Sequence, residues 1–115
     1  MPLIKVQSTE SPDAKKVKIL LKSLSEKLAQ HLGKPESYVM TAFEGNVPMT
    51  FAGSPDRVCF LEIKSIGTMN PEQTKAMSLD FCHTISQELG VPGDRIYIEF
   101  ADAERHLWGW KGTTF

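Results

Sequence analysis

The sequence predicts an α/β fold of the two-layer α+β sandwich kind: two pseudo-symmetric β-α-β units form one four-stranded sheet with both helices on one face. Three observations predict it. First, the chain repeats itself at an offset of 57 residues: Leu32-Gly33-Lys34-Pro35 recurs as Leu89-Gly90-Val91-Pro92, Leu24 falls on Phe81, Leu28 on Ile85, Val39 on Ile96 and Phe43 on Phe100. Second, each copy reads strand, helix, strand in its apolar spacing. Third, helix start and stop signals sit at matching places in both copies. The repeats span 2–45 and 58–102 of a single domain, 1–115. A repeated pair is not a solenoid, for which three or more units are expected.

The elements follow in order. Residues 2–7 open the first copy, with Ile4 and Val6 matching Leu61 and Ile63 of the second. Ser11-Pro12-Asp13 starts a helix, with Asp13 as its cap. Val17, Leu20, Leu21, Leu24, Leu28 and Leu32 recur three to four apart and make one face of it. Gly33 stops it at the usual C′ position, with Pro35 just beyond. Residues 38–44 close the unit.

The second copy opens at 58–66, where Cys59, Leu61 and Ile63 alternate with Glu62 and Lys64. Asn70-Pro71-Glu72-Gln73 is a stronger helix start: Asn70 can cap, Pro71 suits the first turn and Gln73 can close a capping box. Met77, Phe81, Ile85 and Leu89 form the buried face, and Gly90 with Pro92 ends the helix. In the last strand, 95–101, Ile96, Ile98 and Phe100 face one side and Tyr97 and Glu99 the other.

A β-α-β unit joins parallel strands by a right-handed crossover. The sheet face away from the helices then carries Leu3, Lys5, Val58, Phe60, Glu62, Lys64, Tyr97 and Glu99. That face is too mixed for a core and too apolar to be simply wet. Parallel sheets are usually covered on both sides, so other subunits are expected to cover it in a closed oligomer.

Composition excludes several classes. Net charge is −1, with 41% hydrophobic and 23% charged residues, ordinary for a globular protein. No overall basic excess marks a nucleic-acid or membrane binder, so neither partner is expected. The first fifteen residues hold no apolar run, interrupted as they are by Lys5, Glu10 and Asp13, and cytoplasmic residence is expected. Cys59 and Cys82 form no CxxC and are expected as a reduced, buried pair. His31, His83 and His106 show no metal-ligand spacing, and no cofactor is called for.

Several segments carry a family resemblance: Met1-Pro2, Gly33-Lys34-Pro35, Met49-Thr50-Phe51-Ala52-Gly53, Ser65-Ile66-Gly67, Asp94-Arg95-Ile96-Tyr97-Ile98, and Gly109-Trp110 through Thr114-Phe115. Each is weak alone. In order and together, they make the chain resemble the family of macrophage migration inhibitory factor and D-dopachrome tautomerase, within the tautomerase superfamily. The resemblance covers essentially the whole chain. It implies a homotrimer whose sheets form a central barrel, with sites at subunit boundaries. It further implies cofactor-free keto–enol tautomerisation of aromatic, phenylpyruvate-like α-keto acids, or isomerisation of dopachrome-type compounds. Some animal and parasite members act as cytokines, so a signalling protein with weak or vestigial activity is the competing reading.

The implied roles fall on particular residues. Removal of Met1 would leave Pro2 with a free secondary amine as the catalytic base, its pKa lowered by burial and a nearby cation toward the range best for a proton shuttle. A retained Met1 would make that nitrogen an amide. Lys34 would bind the substrate carboxylate and depress the Pro2 pKa; its ordinary role is a cation on a helix C-terminus. Ile66 would offer its backbone. Tyr97 would reach an adjacent subunit's site. Trp108, Trp110 and Phe115 would wall the pocket, with Trp108 replacing a smaller residue usual there.

There are departures. Glu99 stands where animal cytokine members usually have asparagine, and would raise the Pro2 pKa and repel anions. Lys64, where histidine is common, would offset it. Val58-Cys59-Phe60-Leu61 replaces a redox CxxC, so no thiol oxidoreductase activity is expected. Hydratase or dehalogenase chemistry would need an arginine-rich site, and none of Arg57, Arg95 and Arg105 is placed at the pocket by sequence.

Overall fold

The computed structural model describes residues 1–115. Its elements are β1 (Leu3–Ser8), α1 (Ala14–Leu32), β2 (Met40–Glu44), β3 (Cys59–Ile66), α2 (Pro71–Leu89) and β4 (Ile96–Ala103). A short hairpin follows, β5 (Gly109–Trp110) and β6 (Thr113–Thr114). Periodicity did not predict this hairpin, because two-residue strands are too short to alternate. Its turn is made by Lys111 and Gly112, both at positive φ (53° and 76°). Strand β2 starts later than expected because Glu36–Tyr38 winds into a 3-10 turn first.

The helix signals are used as read. The Asp13 carboxylate accepts from the Lys16 amide at 2.8 Å. Asn70 accepts from the Gln73 amide at 2.8 Å, and Gln73 accepts from the Asn70 amide at 3.0 Å. Gly33 and Gly90 end their helices in the left-handed region, at φ of 63° and 70°.

The sheet order is β2-β1-β3-β4. Pairing is parallel inside each unit, but β1 and β3 meet antiparallel at the centre, so the sheet is mixed rather than parallel. The cause is a local twofold axis between the copies. Lys5 pairs with Glu62, its own counterpart in the repeat, while Ile4 pairs with Ile63 and Val6 with Leu61. Such reciprocal pairing is the signature of an isologous contact. Leu3 pairs with Met40 and Cys59 with Ile96, the same distance on in sequence in both units.

Both helices pack on one face. Leu20, Leu24 and Leu28 of α1 and Met77, Phe81 and Ile85 of α2 are fully buried against Ile4, Val6, Leu61 and Ile63. Each such side chain contributes roughly 1.5–3 kcal/mol by leaving water. On the other face Glu62 pairs with Lys64 at 3.7 Å, and Tyr97 stays 65% exposed. Val58 is buried there because the central loop covers it.

Arg95 holds that loop. Its guanidinium donates to the carbonyls of Arg57 (2.8 Å), Phe51 (3.2 Å), Ser54 (3.0 Å) and Asp56 (3.0 Å). It also lies 5.4 Å from the Phe51 ring centre, and Phe51 packs 4.8 Å from the Tyr97 ring.

The cysteines correct one expectation. Cys59 is buried, and burial pushes its thiol up to about 12. Cys82 is only half-buried, its Sγ donating toward the Gly93 carbonyl at 3.6 Å. An alkylating reagent at neutral pH should therefore modify Cys82 and leave Cys59 untouched in native protein, as peptide mapping would read; equal labelling would contradict this burial.

Asp80 ties the helices together, accepting from Lys27 Nζ at 2.6 Å and pairing with His31 Nε2 at 2.7 Å. Burial works to raise its pKa, but the hydrogen bonds and charges of Lys27 and His31 win and hold it below the usual carboxylate value. A depressed carboxylate stabilises above its unfolded pKa of about 4 and loses that contribution as pH falls through the folded value. Asp80→Ala should cost about 0.5–1 kcal/mol at pH 7, since the pair is partly exposed, and this difference should fade in melts as pH is lowered through and below the usual carboxylate range.

Candidate active site

The start of β1, the start of β2 and the end of β3 lie at one end of the sheet. Pro2 sits one step before the Leu3–Lys64 pair, which sets it opposite Ser65. Its side chain is fully buried, and its carbonyl accepts from the Met40 amide at 3.0 Å. The chain's α-amine, carried by Met1 here, has a pKa below its ordinary value, through burial first and the Lys34 charge second.

Lys34 reaches this point because Gly33 turns left-handed and releases the chain from α1. Its Nζ donates to Ser65 Oγ at 2.7 Å and to the Ile66 carbonyl. Burial lowers its pKa below the usual lysine value. No carboxylate of this chain lies within ion-pair distance of it. An ammonium has three donors, so one remains for an anion.

Ser65 is the residue that sequence reasoning missed here. It is buried, accepts from Lys34 and donates to the Ile66 carbonyl at 3.3 Å. A small polar residue ending a strand leaves no signal of its own. The Ile66 carbonyl, expected to face a ligand, is engaged by Lys34 instead, while the residue lines an open cleft of about 1220 Å³.

That cleft runs past Gly67, Ala103 and Leu107 to Phe115. Trp110 stacks on Phe115 with ring centres 5.5 Å apart. Tyr38, also missed, meets Trp110 edge-on at 5.6 Å and Phe115 at 6.3 Å. Its 3-10 turn has no period to read. Trp108 serves through its backbone, its carbonyl accepting from the Phe115 amide at 3.1 Å. Arg105 does line the cleft, contrary to expectation, but its Nε donates to the Phe115 carbonyl at 3.0 Å. One engaged arginine is not an arginine-rich site.

Tyr97 and Glu99 are not part of this group within one chain. Tyr97 pairs with Phe60 and Glu99 with Glu62, whereas Ile66 lies at the far end of β3. At about 3.3 Å per residue, Tyr97 and Ile66 are roughly 20 Å apart along the sheet. The Tyr97 and Glu99 side chains are exposed on the open face. The arrangement within one chain therefore comprises an amine, a partly desolvated cation without a counter-ion, and a cleft beside Ile66 that ends at the Phe115 ring. Such a site can hold an aromatic carboxylate next to a weak base.

Known proteins share this arrangement of elements. The profile of the macrophage migration inhibitory factor family matches residues 1–115. The macrophage migration inhibitory factor of Meriones unguiculatus is 34% identical over 115 residues, covering 100% of this chain and 99% of the relative. The Brugia malayi homolog is 38% identical over 95 residues, 83% of each chain. Among solved structures, the macrophage migration inhibitory factor homologue from Prochlorococcus marinus superposes with a TM-score of 0.93 at 48% identity, covering 98% of both chains. The sequence match over the full length and the superposition agree, and the chain belongs to the macrophage migration inhibitory factor family.

Proposed function

We propose that this chain, once Met1 is removed, is a cofactor-independent keto–enol tautomerase for phenylpyruvate-like α-keto acids, with the Pro2 amine as general base. One observation carries the reading: Pro2 stands opposite Ser65, and Ser65 with the Ile66 carbonyl anchors the Lys34 ammonium through neutral acceptors alone.

The chemistry follows from that placement. Lys34 holds the substrate carboxylate by its remaining donor. The neutral amine takes a proton from the carbon beside the keto group and returns it to oxygen, or the reverse. Burial and the Lys34 charge disfavour the ammonium form, so an amine at this place has its pKa lowered from the ordinary α-amine value. Phe115, Trp110 and Tyr38 make an apolar wall for the aromatic ring.

Tyr97 and Glu99 join the site from a neighbouring subunit in a homotrimer. The exposed outer sheet face supports this, since Met40 and Tyr97 stand on it largely uncovered. Glu99 then brings a carboxylate toward an anionic substrate, which disfavours turnover.

Phenylpyruvate enolisation, with mass spectrometry confirming Met1 removal, tests the scheme. Pro2→Gly should lower kcat/KM by about 10²-fold or more. Lys34→Ala should raise KM and move the midpoint of the rate's rise with pH upward, toward the ordinary α-amine value of about 8. Equal rates for wild type and both variants would end the proposal, and no rate in processed wild type would favour an interaction role.

Ser65→Ala leaves Lys34 charged but free to swing, so it should raise KM several-fold while leaving most of kcat. A fall in kcat alone would contradict its aiming role. Glu99→Asn should raise kcat/KM for anionic keto acids. A monomeric mass in solution would rule out the contribution of Tyr97 and Glu99.

A further inference from the structure

The chain's near-neutral charge hides a strongly basic helix. Helix α1 carries five lysines against one glutamate in a chain of net charge −1. Lys27 is taken by Asp80. The other four, Lys15, Lys16, Lys18 and Lys22, are exposed and belong to no ion pair.

Their spacing gathers them. Lys15, Lys18, Ile19 and Lys22 stand at i, i+3, i+4 and i+7, one face of a helix. Ile19 is 56% exposed in their midst. The opposite face is fixed against the sheet by Leu20, Leu24 and Leu28, so the helix cannot turn its lysines away.

We infer that this face of α1 docks on an anionic lipid surface. Three lysines share this helix face, with Lys16 turned to its flank, and each adds attraction near an acidic membrane plane. Ile19 gives an apolar contact at the depth the lysine stems reach, as in interfacial helices. A nucleic acid fits less well. The face offers no arginine for bidentate contacts and no aromatic ring for base stacking, and it would press Ile19 against phosphates. With the leucine face committed to the sheet, docking is peripheral and electrostatic, without insertion of the helix.

Co-sedimentation with vesicles tests it, using phosphatidylcholine alone and phosphatidylcholine with about 30 mol% phosphatidylserine. Wild type should partition onto the acidic vesicles and not onto the neutral ones, and about 0.3 M salt should release it. Lys18→Gln should lower partitioning about fivefold, and Lys15→Gln/Lys18→Gln/Lys22→Gln by about a hundredfold, with unchanged melting and unchanged enolisation. Ile19→Ala should weaken binding without altering its salt dependence. Equal binding to neutral vesicles, or no loss in the lysine variants, would overturn the inference. So would release of the protein from acidic vesicles by a short DNA duplex that it binds more tightly.

Discussion

The candidate site depends on one interaction, the attachment of the Lys34 ammonium to the end of β3. Its acceptors, the Ser65 hydroxyl and the Ile66 carbonyl, are neutral. They aim the charge without cancelling it. A carboxylate in their place would also have fixed the lysine, but it would have spent the charge on an internal pair. Glu26 and Glu36 line the same surface pocket as Lys34, and neither closes to ion-pair distance. The charge is left uncancelled beside the N-terminal amine, whose protonated form it disfavours. Burial strengthens this effect because it thins the water that would screen it.

The duplication shows why each chain has one such corner and not two. The repeat that carries Leu32-Gly33-Lys34-Pro35 onto Leu89-Gly90-Val91-Pro92 also carries Ser65 onto Ser8 and Pro2 onto Cys59. At the related corner Val91 is fully buried in the core where Lys34 would stand. Ser8 turns its hydroxyl to local tasks, donating to the Val58 carbonyl at 3.0 Å and accepting from the Glu10 amide at 3.1 Å. Cys59 is in mid-chain and offers no amine. The backbone frame is the same at both ends, with left-handed glycines at each helix stop. The difference in chemistry comes from a lysine against a valine, and from the chain's beginning falling at one corner only.

What the sequence disclosed follows from which interactions are local. Helix faces, caps and glycine stops act within a few residues, so Leu20-Leu24-Leu28 and Asn70-Gln73 could be read directly. The direction of β1 against β3 is a choice between units, and the apolar spacing of Ile4, Val6, Leu61 and Ile63 is the same either way. The candidate site was legible only where motif resemblance supplied it, at Pro2, Lys34, Ile66, Trp110 and Phe115. Ser65 and Tyr38 join through contacts spanning 31 residues in one case and most of the chain in the other. Arg95 is similar: its carbonyl partners lie about forty residues upstream, and nothing near it in sequence marks the loop it holds.

Helix α1 joins two surfaces whose physics can be separated. The leucine spacing that seats the helix also fixes which way every other side chain points, so the lysine face is a geometrical consequence of the core. Lys18 and Lys34 bracket most of its length. At about 1.5 Å per residue they are roughly 24 Å apart. The Debye length in physiological salt is about 8 Å, so exposed charges at that distance scarcely sense each other. Changes in the lysine face therefore leave the field on the N-terminal amine unaltered. Net charge misses this organisation because it sums over both ends. The relevant quantity is the charge within one screening length, which is strongly positive along the first half of α1 and a single directed ammonium at its end.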